Sequence, residues 1–324
     1  MLERNRTLRS LALWPIMAVF ASCVAISVQA QSPQVFVSAR VGNDVGSCTT
    51  ALPCRTVTYA LTQVQHSGHV LLIDSGDYDS SFVITKSVTI AGAPGVLAVF
   101  SNAEPNGSII GFNPDSAICR ISDCLTLILR NLVFDGQRVT QDAVRADGIR
   151  LLAEDCTFSR FRFGVLVIGA GTFQFKNCVF QTSEIGIYLT PNGSLRTVLA
   201  TVEGCRFEAL SSGGIEANTG PTGNNTLKLV VRDGFFNRTG LIGVRGNANT
   251  GGSIQVDLER CQITNCANAV VSVSPGSVVR ISNSTIVGNI AGLQGGGGAL
   301  LSRGNNTVEG NMSNGNFTGI FFAK

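Results

Sequence analysis

The stretch FKNCVF, Phe175–Phe180, decides the fold, because its pattern returns along the chain. It reappears as AEDCTF at Ala153–Phe158, VEGCRF at Val202–Phe207 and LERCQI at Leu258–Ile263. Each copy sets a cysteine two residues before a large apolar side chain. Extending the alignment gives apolar anchors at Phe134, Phe158, Phe180, Phe207, Phe236, Ile263, Ile286 and Val308, at intervals of 22 to 29 residues. A small or turn-prone residue precedes nearly every anchor: Asn131, Asp155, Asn177, Gly204, Asp233, Asn283 and Asn306. A second element follows each anchor, read as GVLV from Gly164, GIYL from Gly186, GIEA from Gly214, GVRG from Gly243, VVSV from Val270, GLQG from Gly292 and GIFF from Gly319. AVRA from Ala143 is a degenerate copy. A period in the twenties sustained over eight copies is the mark of a solenoid.

The local pattern selects the solenoid. In TFQFKNCVF, Thr172–Phe180, the side chains of Phe173, Phe175, Cys178 and Phe180 share one side if the strand alternates and Asn177 turns a corner. No segment here carries a ten-residue helical stripe, and LxxLxL is absent. The expected fold is all-β: a parallel β-helix with two or three short strands per coil. In that register Cys156, Cys178, Cys205 and Cys261 form one inward column, shared with Gly234 and Ser284. Free cysteine is a small, well-buried apolar residue, so a buried and mostly unpaired ladder is expected. The alternative is a metal or redox column. With no CxxC and no histidine nearby, no metal is assigned.

Composition agrees with this reading. The 324 residues are 44% hydrophobic and 14% charged, with 37 glycines and a net charge of +3. That suits many short strands and tight turns, and is too little charge for a nucleic-acid binder. Residues 1–30 combine a basic start (MLERNRTLR), an apolar run and VQA before a cut after about Ala30, the pattern of a secretory signal. A retained anchor, or lipid attachment at Cys23, is the alternative; export without a membrane span is expected. A single domain then covers 31–324, with a cap and first coils over 31–100 and repeat coils over 101–324. Nine cysteines remain after such a cut, so at least one stays unpaired. Cys48 and Cys54, flanking TTALP, are the first disulfide candidate, and Cys119 and Cys124, around RISD, the second. No role is assigned to Cys266. Val57, Ala60, Leu61 and Val64 have helical spacing, which predicts an amphipathic lid on the first coil.

The runs VFVSARVGNDVGSCTTALPCRTVTYAL and GHVLLIDSGDYDSSFVITKSVTIAG resemble the opening of secreted bacterial right-handed parallel β-helix proteins of the pectin-lyase-like superfamily. The paired cysteines before the lid, SGDY and ITKSVTIAG carry the resemblance. The repeats extend it to Phe322. It implies a right-handed helix; members include polysaccharide lyases, hydrolases, epimerases and adhesins, so fold alone does not choose a function.

The chemistry of cleavage is sparse. Hydrolases of that superfamily carry NTD, DD and GHG segments, and none occurs here. His66 and His69 fall at the end of the predicted lid and read as surface residues. Calcium loops are missing, so Ca2+ enters only under a lyase reading. GLQGGGGALL lacks the lysine of a phosphate loop and reads as a corner. The densest polar segment, FDGQRVTQDAVRADGIR, holds Asp135, Asp142 and Asp147 with Arg138, Arg145 and Arg150 in one coil and its long corner. It is either a cleft for an acidic sugar or a solvated turn. A second feature is the outward row expected from the G-I-x-L strands: Arg145, Leu166, Tyr188, Glu216, Arg245 and Ser272.

The resulting expectation is a secreted, periplasmic or cell-surface protein offering a flat face to a glycan or an envelope partner, non-catalytic and monomeric. Its ligand would be held by Asp135, Asp142, Arg145, Asp147, Tyr188, Glu216 and Arg245. The alternative is a polysaccharide lyase on an acidic polysaccharide. In NGNFTGIFFAK, Ile320 and Phe322 are expected to point inward, with the final coil the least protected part of the fold.

Overall fold

The computed structural model describes residues 31–78, 81–101, 107–112, 125–137, 142–220 and 224–322. The signal segment, Cys119, Cys124 and Arg138 lie outside the described residues. Apolar–polar alternation broken by tight corners gives three strands per coil. In one coil they are Gly171–Lys176, Val179–Gln181 and Ile185–Leu189. Each pairs in parallel with its counterpart one coil on. Three sheets result, here called I, II and III in chain order, with 12, 10 and 9 strands among the described residues.

The anchors form the spine of the core. Phe134, Phe158, Phe180, Phe207, Phe236, Ile263, Ile286 and Val308 stand in register along sheet II. Phe100 extends the row by one coil. From Phe100 to Phe236 the rings stack at 5.4, 5.1, 4.8, 4.9 and 4.6 Å between centroids. In four successive sheet III strands the second residue is a glycine, Gly164, Gly186, Gly214 and Gly243, and it makes room for this column. A Cβ on Gly186 would lie 2.7 Å from the Phe207 ring, and one on Gly214 would lie 2.7 Å from the Phe236 ring.

The corner between sheets I and II is turned by one residue in the left-handed region. Asn131, Asp155, Asn177, Asp233, Arg260 and Asn283 occupy it with φ between 49° and 53°, and Gly204 at 62°. In the coil of Ile263, where no small or turn-prone residue marks the corner, Arg260 takes the place. Each such residue gives its N–H to the next coil, as Asn177 does to Glu203 O at 2.9 Å.

Just beyond that corner stands the cysteine column. Cys156, Cys178, Cys205 and Cys261 are buried and unbonded, and so is Cys266. Their sulfurs do more than fill space. Cys178 N–H donates to Cys205 Sγ at 3.3 Å, and Cys261 N–H to Ser284 Oγ at 3.1 Å. Cys205 Sγ in turn donates to Glu203 O at 3.4 Å, as Ser284 Oγ does to Ser282 O at 2.8 Å. A corner N–H with no ladder partner is thereby satisfied from the next coil. The corner between sheets II and III repeats the device. Phe161 N–H donates to Ser183 Oγ at 3.1 Å, and Cys266 N–H to Asn289 Oδ1 at 2.9 Å. Cys266 is therefore a rung of a second ladder. Burial pushes the Cys261 thiol up to about 11, which disfavours the thiolate needed for nucleophilic or metal chemistry.

Cys48 and Cys54 are joined in a disulfide beside the lid. The helix itself is Val57–Gln63, with Thr56 as its N-cap accepting from Tyr59 N–H. Asp44 holds that turn through Arg55 N, Thr56 N and Thr56 Oγ1. Val57 and Ala60 are its buried face. The helix stops one residue short of its expected stripe, because Val64 is extended (φ −78°, ψ 140°) and opens the strand Val64–Leu72. His66 and His69 thus stand exposed on a strand of sheet I, not at a helix end. At the far end Ile320 keeps the inward register of Ile281 and Ser302. Ile320 and Phe322 are 65% and 83% exposed, because among the described residues no strand of sheet I lies beyond Gly319–Ile320.

Candidate functional site: the outer face of sheet III

Sheet III carries apolar side chains on both faces. Phe163, Leu166 and Ile185 form a buried cluster separate from the core, with Ile168 and Tyr188 packed against it. In strand register the outer row runs Arg145, Leu166, Tyr188, Glu216, Arg245 and Val271. Ser272 was expected in the last place and is instead inward, paired with Gly246. The cause is Ala269, which takes the position glycine holds in other coils and disguises the repeat; a one-residue slip reverses the face.

An aromatic pair lies at the middle of this face. Phe163 and Tyr188 stack at 5.3 Å, and the Arg162 guanidinium sits 4.9 Å from the Phe163 centroid. Arg162 also approaches Glu184 at 3.7 Å. On one side of the pair is Asp142, 1% exposed, with Arg145 Nη1 3.5 Å from its Oδ2. Ser108 Oγ donates to the same oxygen at 3.3 Å, and Oδ1 has no partner. On the other side Glu216 is ion-paired with Arg245. Its carboxylate lies over Gly213, where a Cβ would come within 2.7 Å of Oε1.

Burial dominates the electrostatics. It raises Asp142 to about 6 against the opposing pull of Arg145, and it raises Glu216 against Arg245. A raised carboxyl favours the fold below its unfolded value near 3.8, and that contribution is lost as pH rises through about 6. Asp142→Asn is therefore expected to gain about 3 kcal/mol over the parent at pH 7.5 and nothing at pH 3.5. Paired thermal melts across that range check it; a constant offset between the two proteins would refute the burial account.

The remaining expected ligands separate. Asp135 is taken by Arg160, whose Nε lies 2.6 Å from Oδ1, and by Gln137 N–H at 3.0 Å, in the corner between sheets II and III. Asp147 lies at the opposite corner, its carboxylate occupying the space over Gly169. Arg150 belongs to sheet I. The polar segment is thus divided among two sheets and two corners, and only Asp142 and Arg145 share the sheet III face with Tyr188, Glu216 and Arg245. Sequence reasoning missed Phe163, Arg162 and Ile185 there; the outward position three residues before Arg145 and Tyr188 was the available signal.

Asp142 and Glu216 stand three coils apart, roughly 14 Å at ~4.8 Å per coil. That exceeds the roughly 5–9.5 Å between the carboxyls of a glycoside hydrolase. Among the described residues no cluster of His, Cys, Asp and Glu is arranged to hold a metal ion. No helix among them is long and apolar enough to cross a membrane.

A family model described as a right-handed β-helix region matches residues 144–324. Among curated proteins no sequence matches. Similar solved structures include a rhamnogalacturonan lyase (TM-score 0.52, 14% identity, covering 83% of this chain and 75% of that one). Another is XylC in complex with xylose (0.50, 8%, 84% and 69%). A third is ORF18 of Geobacillus virus E2 (0.52, 15%, 89% and 61%). At such identities the likeness is one of fold.

Proposed function

The chain belongs to the right-handed β-helix family, and from that premise we propose that it binds an acidic glycan along the outer face of sheet III without cleaving it. One observation carries this reading. Two carboxylates of the face lie beneath it, with Asp142 and Glu216 side chains 1% and 5% exposed, while their partners Arg145 and Arg245 are 50% and 31% exposed; Arg162 (52%) is matched by an equally open Glu184 (47%). Solvent therefore meets arginines on either side of an apolar, aromatic strip. Guanidinium forks match sugar carboxylates in bidentate geometry, and an aromatic ring offers a flat apolar body to a sugar ring. The Cys48–Cys54 disulfide suits an oxidising compartment, so we place the protein outside the cytoplasm, where such glycans occur.

A polysaccharide lyase is the second reading, favoured by Asp142. A carboxyl near 6 is poised for proton transfer close to neutral pH. A glycan array together with an absorbance assay for unsaturated products separates the two. Retention of acidic polysaccharides with flat absorbance is expected, and Tyr188→Ala weakens retention about tenfold with a nearly unchanged thermal transition. Rising absorbance would replace the binding reading with the lyase; retention unaffected by Tyr188→Ala would remove the site from this face.

A further inference from the structure

The outer face of sheet I carries a ladder of alternating charge. Arg130, Glu154, Lys176, Glu203, Arg232 and Glu259 follow one another coil by coil in strand register. The alternation ends at Ser282, the partner of Glu259. Arg303 takes the next place, since Ser302 pairs with Ile281. Each earlier base has an acid one coil away. Arg303 has a hydroxyl there and forms no ion pair among the described residues.

A cavity of about 220 Å³ opens at this break, and Arg232, Asp257, Glu259, Arg280, Ser282, Arg303 and Phe321 are in its lining. Its internal ion pairs are loose. Arg280 Nη1 lies 3.5 Å from Asp257, and Arg232 Nε 3.5 Å from Glu259. Arg130 and Glu154, on the intact part of the ladder, close to 2.6 Å. Each guanidinium has five N–H donors in a fixed fork, so Arg280 and Arg303 together have donors to spare around Ser282. Three arginines against two acids leave the cavity basic.

We propose that this cavity binds a carboxylate-bearing sugar, the carboxylate lying over Ser282 between Arg280 and Arg303. The ligand anion takes the place that an acidic residue would fill in an unbroken ladder. Phe321, half-buried in the wall, packs against the apolar face of the ring. The volume lies below the roughly 300–1,000 Å³ of sites for drug-sized ligands, which fits one monosaccharide and not a chain. The site is on a different sheet from the Tyr188 face and does not depend on it.

The test is a titration of the isotope-labelled protein with sodium glucuronate, with glucose as the neutral control, followed by backbone amide shifts. Glucuronate is expected to move the amides of Arg280, Ser282 and Arg303 with saturation, and glucose to leave them still. Arg303→Gln weakens the response at least tenfold. Ser282→Asp abolishes it, because the new carboxylate occupies the anion's place, and its melting temperature rises above the parent's. Tyr188→Ala leaves all of this unchanged. No saturable shift at these amides in the parent, or a response in Arg303→Gln and Ser282→Asp as strong as the parent's, overturns the proposal.

Discussion

Phe207→Ala is expected to cost about 4 kcal/mol, the upper range for emptying a buried aromatic site. Phe207 is fully buried, with Phe180 stacked on one side at 4.9 Å and Phe236 on the other at 4.6 Å. Neither neighbour can close the gap, because each ring is held by the strand register of its own coil. The cavity persists and the loss follows its volume. Chemical denaturation of the variant reads the cost directly, and a loss below about 1 kcal/mol would show that the ring stack is not the spine of the core.

The second large effect adds a single methyl. Gly214→Ala would place its Cβ 2.6 Å from Gly243 O and 2.7 Å from Cδ1 of Phe236. One obstacle is backbone, and the other is a ring pinned within the stack, so the strain cannot be relieved by a side-chain rotation. A loss of about 3 kcal/mol is expected, at the high end for overpacking. Gly111 is the control, since a Cβ there meets only Val83 Cγ2 at 4.0 Å. Gly111→Ala should stay within about 0.5 kcal/mol of the parent. Equal tolerance of alanine at both positions would mean that the glycine column does not accommodate the aromatic stack.

What was legible in the sequence followed from periodicity. Phe134 to Val308 and the cysteine column are local patterns repeated every 22 to 29 residues, which the structure stacks coil on coil, and the lid helix was a single stripe of helical spacing. Phe100 escaped because the interval to Phe134 is longer than any other in the row. The row on sheet III slipped at Ser272 because Ala269 replaces the glycine that marks the strand. The ladder role of the cysteines was hidden for a different reason. Cys178 N–H meets Cys205 Sγ across 27 residues of chain, and no pattern within one coil reveals a bond to the next. The candidate site was the least legible. Asp135, Asp142 and Asp147 look like one cluster in the chain, yet two corners send them to different places. The burial of Asp142 and Glu216 beneath their arginines depends on packing across several coils. The alternating charges of sheet I were equally invisible until strand register aligned them.

The proposed surface for acidic glycans is the outer face of sheet III, where Arg145 and Arg245 stand above buried carboxylates. It is tested most directly by titrating an acidic oligosaccharide, and its carboxyl-reduced neutral counterpart, into a protein carrying Arg303→Gln so that sheet I contributes nothing. Saturable binding of the acidic form that weakens with added salt is expected, with no binding of the neutral form and at least a tenfold loss on adding Arg145→Gln and Arg245→Gln. Equal affinity for the two sugars, or binding unmoved by the two substitutions in a folded protein, would contradict the proposal.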